Sequence, residues 1–275
     1  MESKKFSFLR LSDKDLNFLI ETAHPEVVDK VQLKKIIKGD EEFRISFISD
    51  EKIFRRLIGD EEIFLKISPL LFFEILLRKV ANDLKGISFT IEKTGSMKIP
   101  VFDTKDVVDF LKKRDLLDYL ADMLSSFTRI ESYTVSFETR KGTWEKVRLN
   151  DLDIFSLMSL CDVVEDESRI GFYKRIADIC LLILGIFPDY VEREYRYPFS
   201  AQIRPSVQGR SRISPEEFEK EGRKFYKLAA EHHFAKEMEL SEIFWTLHED
   251  FQIAKKPLNF IAEHYLRYQR QKLFS

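Results

Sequence analysis

The residue best placed to do chemistry is Asp178. It lies in KRIADICLLILGIFPD, on an expected helix that is apolar nearly all round from Ile176. A carboxylate in such a setting must be paired or hydrogen-bonded if buried, because an unpaired buried charge is costly. Arg175 and Lys174 lie three and four residues before it, within reach along a helix. One reading is an acid with a perturbed pKa facing a pocket. The other is a buried polar anchor, Asp178 with Arg175, that pins a loop or a neighbouring helix end. Ion-pair networks perturb carboxylates as active sites do, and the anchor is the reading adopted.

Four of the five histidines, His232, His233, His248 and His264, fall in the C-terminal helices. If the last two helices form an antiparallel pair joined near Lys255 and Lys256, His248 and His264 come about one turn apart, with Glu249 and Glu263 close by. A carboxylate–histidine metal site in a bundle needs inward Glu-x-x-His spacings from facing helices, and that spacing is absent. His248 and His264 also flank, rather than join, the apolar stripes of Leu240, Phe244, Leu247 and Phe251 and of Leu258, Ile261 and Tyr265. No metal or cofactor is expected.

Arg204, Arg210 and Arg212 make a basic connector ahead of a helix N-terminus, and Lys220 and Arg223 follow. Such a connector suits an anion or a partner's acidic group; a solvated linker accounts for it equally well. Tyr190, Tyr195 and Tyr197 alternate with charge nearby. They have no strand or motif to present them as a stacking platform, so they read as packing residues. The sequence holds no G-x-G-x-x-G, Walker loop, G-x-S-x-G, H-E-x-x-H or C-x-x-C, the short motifs that carry nucleotide, acyl-transfer and metal chemistry.

Composition narrows the class. Of 275 residues, 44% are hydrophobic and 33% charged. That is enough to bury a core beneath a charged surface, which excludes a wholly disordered chain. The net charge of −2 disfavours a dedicated nucleic-acid binder, whose affinity rests on phosphate contacts. Cys161 and Cys180 sit in apolar helical patterns and read as buried free thiols of a reducing cytoplasm. The polar start MESKKFSFLRLSDKD lacks the apolar run of a signal peptide. The most apolar segment, 176–187, is too short to span a bilayer. A charge-dense Lys/Glu/Ile style also suits a thermophile.

Helix starts are marked by Ser12 with Asp15, Asp103 with Asp106, Asn150 with Asp153, Ser68-Pro69, and Ser214-Pro215 with Glu217, each a capping side chain or an N-terminal proline. Apolar stripes follow: Leu16, Leu19, Ile20 and Ala23; Leu71, Phe72, Ile75, Leu76 and Val80; then a pair of helices broken near Arg114. Two stretches change to period two. Ile87, Phe89 and Ile91 turn at Thr94-Gly95-Ser96 into Met97, Ile99 and Val101, with Pro100 marking an edge. Tyr133, Val135 and Phe137 turn at Lys141-Gly142 into Val147 and Leu149. After Asn150 no strand pattern remains, and 188–214 is a proline-bearing loop.

FYKRIADICLLILGIFPDY, EFEKEGRKFYKLAAEHH and IFWTLHEDFQIAKKPLNFIAEHYL together resemble a set of uncharacterised bacterial helical proteins. Their shared pattern places residues at Tyr173, Asp178, Leu182, Gly185, Phe187, Pro188, Gly222 and Tyr226, with Ala177 where glycine is usual. The resemblance runs from near Asp166 to the end of the chain. It implies a helical unit and brings no activity.

The expectation is a mainly α, multi-helical chain, with one or two small antiparallel β-hairpins in the N-terminal half (1–149) and an all-helical bundle over 150–275. The leading function is a non-enzymatic cytoplasmic protein-interaction or adaptor protein without a membrane span. The alternative is a helical ligand- or metal-binding protein, an enzyme among the options, centred on Asp178 and the C-terminal histidines.

Overall fold

The computed structural model describes residues 11–94, 97–128, 132–140, 143–150, 154–162, 164–188, 214–266 and 273–274. The fold is mainly α, and no helix among these residues is long and apolar enough to cross a membrane. The chain divides into two compact units, Met1–Ser126 and Phe127–Ser275. That division falls ahead of the expected 149/150 boundary, so the second hairpin counts with the C-terminal unit.

In the first unit α1 (Asp13–Ala23) opens with the expected capping box. Ser12 Oγ accepts from Asp15 N, and Asp15 Oδ2 accepts from Ser12 N at 2.9 Å. Asp15 is fully buried, and its other oxygen accepts from Ser68 N at 2.6 Å. One carboxylate therefore caps α1 and ties it to the start of α6 (Pro69–Asp83), whose own cap is Ser68 Oγ. Between them run α2 (Lys30–Gly39), α3 (Glu41–Ile48), α4 (Glu51–Gly59) and the single turn α5 (Ile63–Lys66). These had no counterpart in the sequence expectations. Their signal is a series of capping aspartates: Asp29, Asp40 and Asp50 each accept a backbone N–H from the first turn that follows, as N-cap acids do.

The strands β1 (Thr90–Thr94) and β2 (Met97–Val101) pair antiparallel, with Thr90 opposite Val101 and Ile91 opposite Pro100. Asp103 stands at the N-cap position of α7 (Thr104–Lys112) but makes no capping bond. Its carboxylate accepts from Thr90 Oγ1 at 2.6 Å, so the expected cap instead fastens β1 to the start of α7. Lys113 separates α7 from α8 (Arg114–Ser126), and both pack on α6. Leu71, Phe72, Phe73, Leu76, Leu77, Val80, Leu120 and Leu124 form this core.

In the second unit β3 (Ser132–Arg140) and β4 (Thr143–Asn150) form a second antiparallel hairpin. Beyond Asn150 the described residues contain no strand. They form α9 (Ile154–Cys161), α10 (Asp166–Ile186), α11 (Pro215–Glu231), α12 (His233–Glu237), α13 (Ser241–Glu249) and α14 (Phe251–Phe260), which runs into a π turn over Ile261–Tyr265. The last break falls at Asp250 rather than near Lys255 and Lys256, which lie within α14.

The helix α10 is the axis of this bundle, with α9, α11 and α14 packed on it. It is apolar on all sides over its second half, where 176–186 are buried without a break. Two glycines set how closely its neighbours approach. A Cβ on Gly185 would lie 2.6 Å from Leu258 Cβ on α14. A Cβ on Gly222 would lie 2.6 Å from the Phe251 ring and 2.9 Å from Cys180 Cβ. Gly171, on the exposed first half of α10, meets nothing within 4 Å. Alanine gains roughly 1 kcal/mol over glycine in a helix interior, whereas overpacking costs about 1–3 kcal/mol. Gly171→Ala should thus raise the urea midpoint, and Gly185→Ala and Gly222→Ala should lower it. A stabilising Gly185→Ala would show that α10 and α14 are not in close contact.

Candidate functional site

The polar centre of the C-terminal unit is Asp178, and α10 and α11 build it together. Asp178 is fully buried in the apolar half of α10. Its Oδ1 accepts from Tyr226 Oη of α11 at 2.8 Å, and its Oδ2 accepts from Lys174 Nζ at 2.8 Å, one turn back along α10. Both carboxylate oxygens are therefore engaged, one by a cation whose side chain still reaches solvent. Tyr226 is itself fully buried, with its ring 6.2 Å from those of Phe244 and Phe251. Gly222 lies one turn before it and admits the Phe251 ring that backs the tyrosine.

The cation on Asp178 is Lys174. Arg175, the partner expected from the sequence, carries its guanidinium 3.7 Å from the centroid of the Phe127 ring, in a cation–π arrangement. Positions three and four residues back both lie within helical reach, and only packing decides between them.

The C-terminal end of α10 is finished by α14. Asn259 Nδ2 donates to Leu184 O at 2.9 Å and to Gly185 O at 2.7 Å. It thereby satisfies two of the carbonyls that a helix end leaves open. At the other end His232 Nε2 lies 2.9 Å from Asp166 O, and its Nδ1 accepts from Phe234 N at 3.4 Å. Accepting at Nδ1 assigns the proton of the neutral ring to Nε2, which donates to the Asp166 carbonyl. His232 thus joins the start of α10 to the corner between α11 and α12. Asp178 with Tyr226, Asn259 and His232 are three side-chain links along one helix.

A cation could in principle meet Asp166, His232 and His233, whose ligating atoms lie within 4.8 Å of one another. The arrangement does not suit one. Both nitrogens of His232 are engaged, and the two imidazoles stack with an interplanar angle of 20°. Their in-plane lone pairs then run side by side instead of converging as a tetrahedral site requires. His248 and His264 each face a backbone carbonyl, Arg223 O at 2.9 Å and Phe260 O at 3.1 Å. Arg204, Arg210 and Arg212, with the tyrosines near them, lie outside the described residues.

Neither thiol is poised for chemistry. Both cysteines are buried and free, and burial pushes Cys161 up to about 11 and Cys180 further still. Thiols so protonated are poor nucleophiles and poor ligands.

A second pair of buried acids, in the N-terminal unit, was not among the sequence expectations. Glu74 of α6 and Asp118 of α8 are both buried, and each has one carboxylate oxygen without a hydrogen-bond partner. Glu74 stands inside the apolar run LLFFEILL, the same local signal that Asp178 carries, whereas Asp118 lies in the mixed run RDLLDYLAD, where nothing local marks it as inward-facing.

Asp178→Ala should destabilise the chain by about 3–5 kcal/mol, since it strands a buried hydroxyl and a half-buried ammonium. Asp178→Asn keeps the shape and an acceptor for Tyr226 and should cost less. Tyr226→Phe removes one neutral donor to a charged acceptor and should cost about 1.5–3 kcal/mol. Thermal melts of the three variants beside the wild type measure this; unchanged melting temperatures would sink the anchor assignment.

No protein-family model, curated protein or solved structure matches the chain, so its function has to be read from these residues themselves.

Proposed function

We propose that the protein is a non-enzymatic interaction protein that engages a protein partner through the apolar face of its first hairpin. One observation carries this reading: Phe89, Ile91, Pro100 and Phe102 share one side of the β1–β2 ribbon and are exposed. Ile91 faces Pro100 in the register, and extending that register by one pair on the same face sets Phe89 against Phe102. Their rings meet edge to face, with centroids 6.0 Å apart. Phe102 is 79% exposed and Ile91 47%.

A two-stranded ribbon alone is marginal in water, because one of its faces has nothing to pack on. Contiguous exposed apolar side chains are also unusual on a monomer, and they mark contact surfaces. The β2 edge carries Pro100, which removes an N–H and discourages indiscriminate strand addition. The chemistry therefore favours a partner that covers the face with apolar side chains over one that extends the sheet. Thr90 Oγ1, bonded to Asp103, holds the ribbon against the start of α7 and presents the face as a fixed surface.

The alternative, a ligand- or metal-binding protein centred on Asp178 and the C-terminal histidines, has less support. Asp178 is sealed from solvent with both oxygens occupied, as a structural anchor is, and His248 and His264 address separate backbone carbonyls.

The test is a double substitution, Phe89→Ser with Phe102→Ser. Both side chains are exposed, so folding stability should change by no more than about 0.5 kcal/mol per site. Native mass spectrometry of the untagged wild type should show a second chain, and the variant should have lost it while melting at the same temperature. A solitary wild-type chain, or a variant that keeps its partner, overturns the proposal.

A further inference from the structure

We draw no further inference here: the strongest candidate, the side-chain cluster of Arg44 on α3, Glu74 on α6 and Asp118 on α8, each with a buried polar atom lacking a hydrogen-bond partner, carries nothing because no contact joins Asp118 to either of the other two and only their charges act on it.

Discussion

A carboxylate placed in the middle of an apolar helix governs how the C-terminal unit is assembled. Asp178 cannot remain buried and charged without donors, and the α10 backbone has none free in mid-helix. The donors must come from one turn back along the helix and from a neighbouring one, and Lys174 and Tyr226 meet that requirement. Apolar packing is tolerant of small rotations and slips; a hydrogen bond from a buried tyrosine to a buried acid is not. The bond sets the rotation of α11 against α10. Gly222 and Gly185 then fix how closely the chain can approach on either side, and Asn259 closes the end of α10.

The N-terminal unit manages buried charge in a contrasting way. Asp15 is satisfied by backbone and hydroxyl donors at two helix starts. Glu74 has a guanidinium on one oxygen only, and Asp118 has a buried oxygen with no donor at all. A buried carboxylate is thus fully satisfied in one place and left with an oxygen lacking a donor in another. What differs is the supply of donors. An acid at a helix N-terminus has backbone N–H groups in front of it, and an acid in mid-helix has none.

The two units also differ in how their apolar surface is covered. The C-terminal helices wrap α10 until its second half is sealed. The first hairpin leaves apolar side chains on one face in the open, held in place by a hydroxyl–carboxylate bond at its base. Burial in one place and exposure in the other supports reading the first as scaffold and the second as contact surface.

What could be read from the sequence was local. Capping boxes at Ser12 and Ser214, the serine–proline start at Ser68 and the period-two runs each depend on residues within a few positions, and the helices and strands formed there. The burial of Asp178 was legible for the same reason, since its helix is apolar all round. The aspartates at 29, 40 and 50 carried the same kind of local signal for the short helices they cap. Tertiary packing decided what lay further off. It chose Lys174 over Arg175 for Asp178, and it supplied Tyr226 from 48 residues away. It turned Asp103 from a cap into a tie for Thr90, placed the last joint at Asp250, and brought Asp118 inward on α8. Backbone geometry constrains partners within a turn or a strand pair. Which face of one helix meets which face of another is a property of the packed whole, and the fate of a charged side chain depends on that choice.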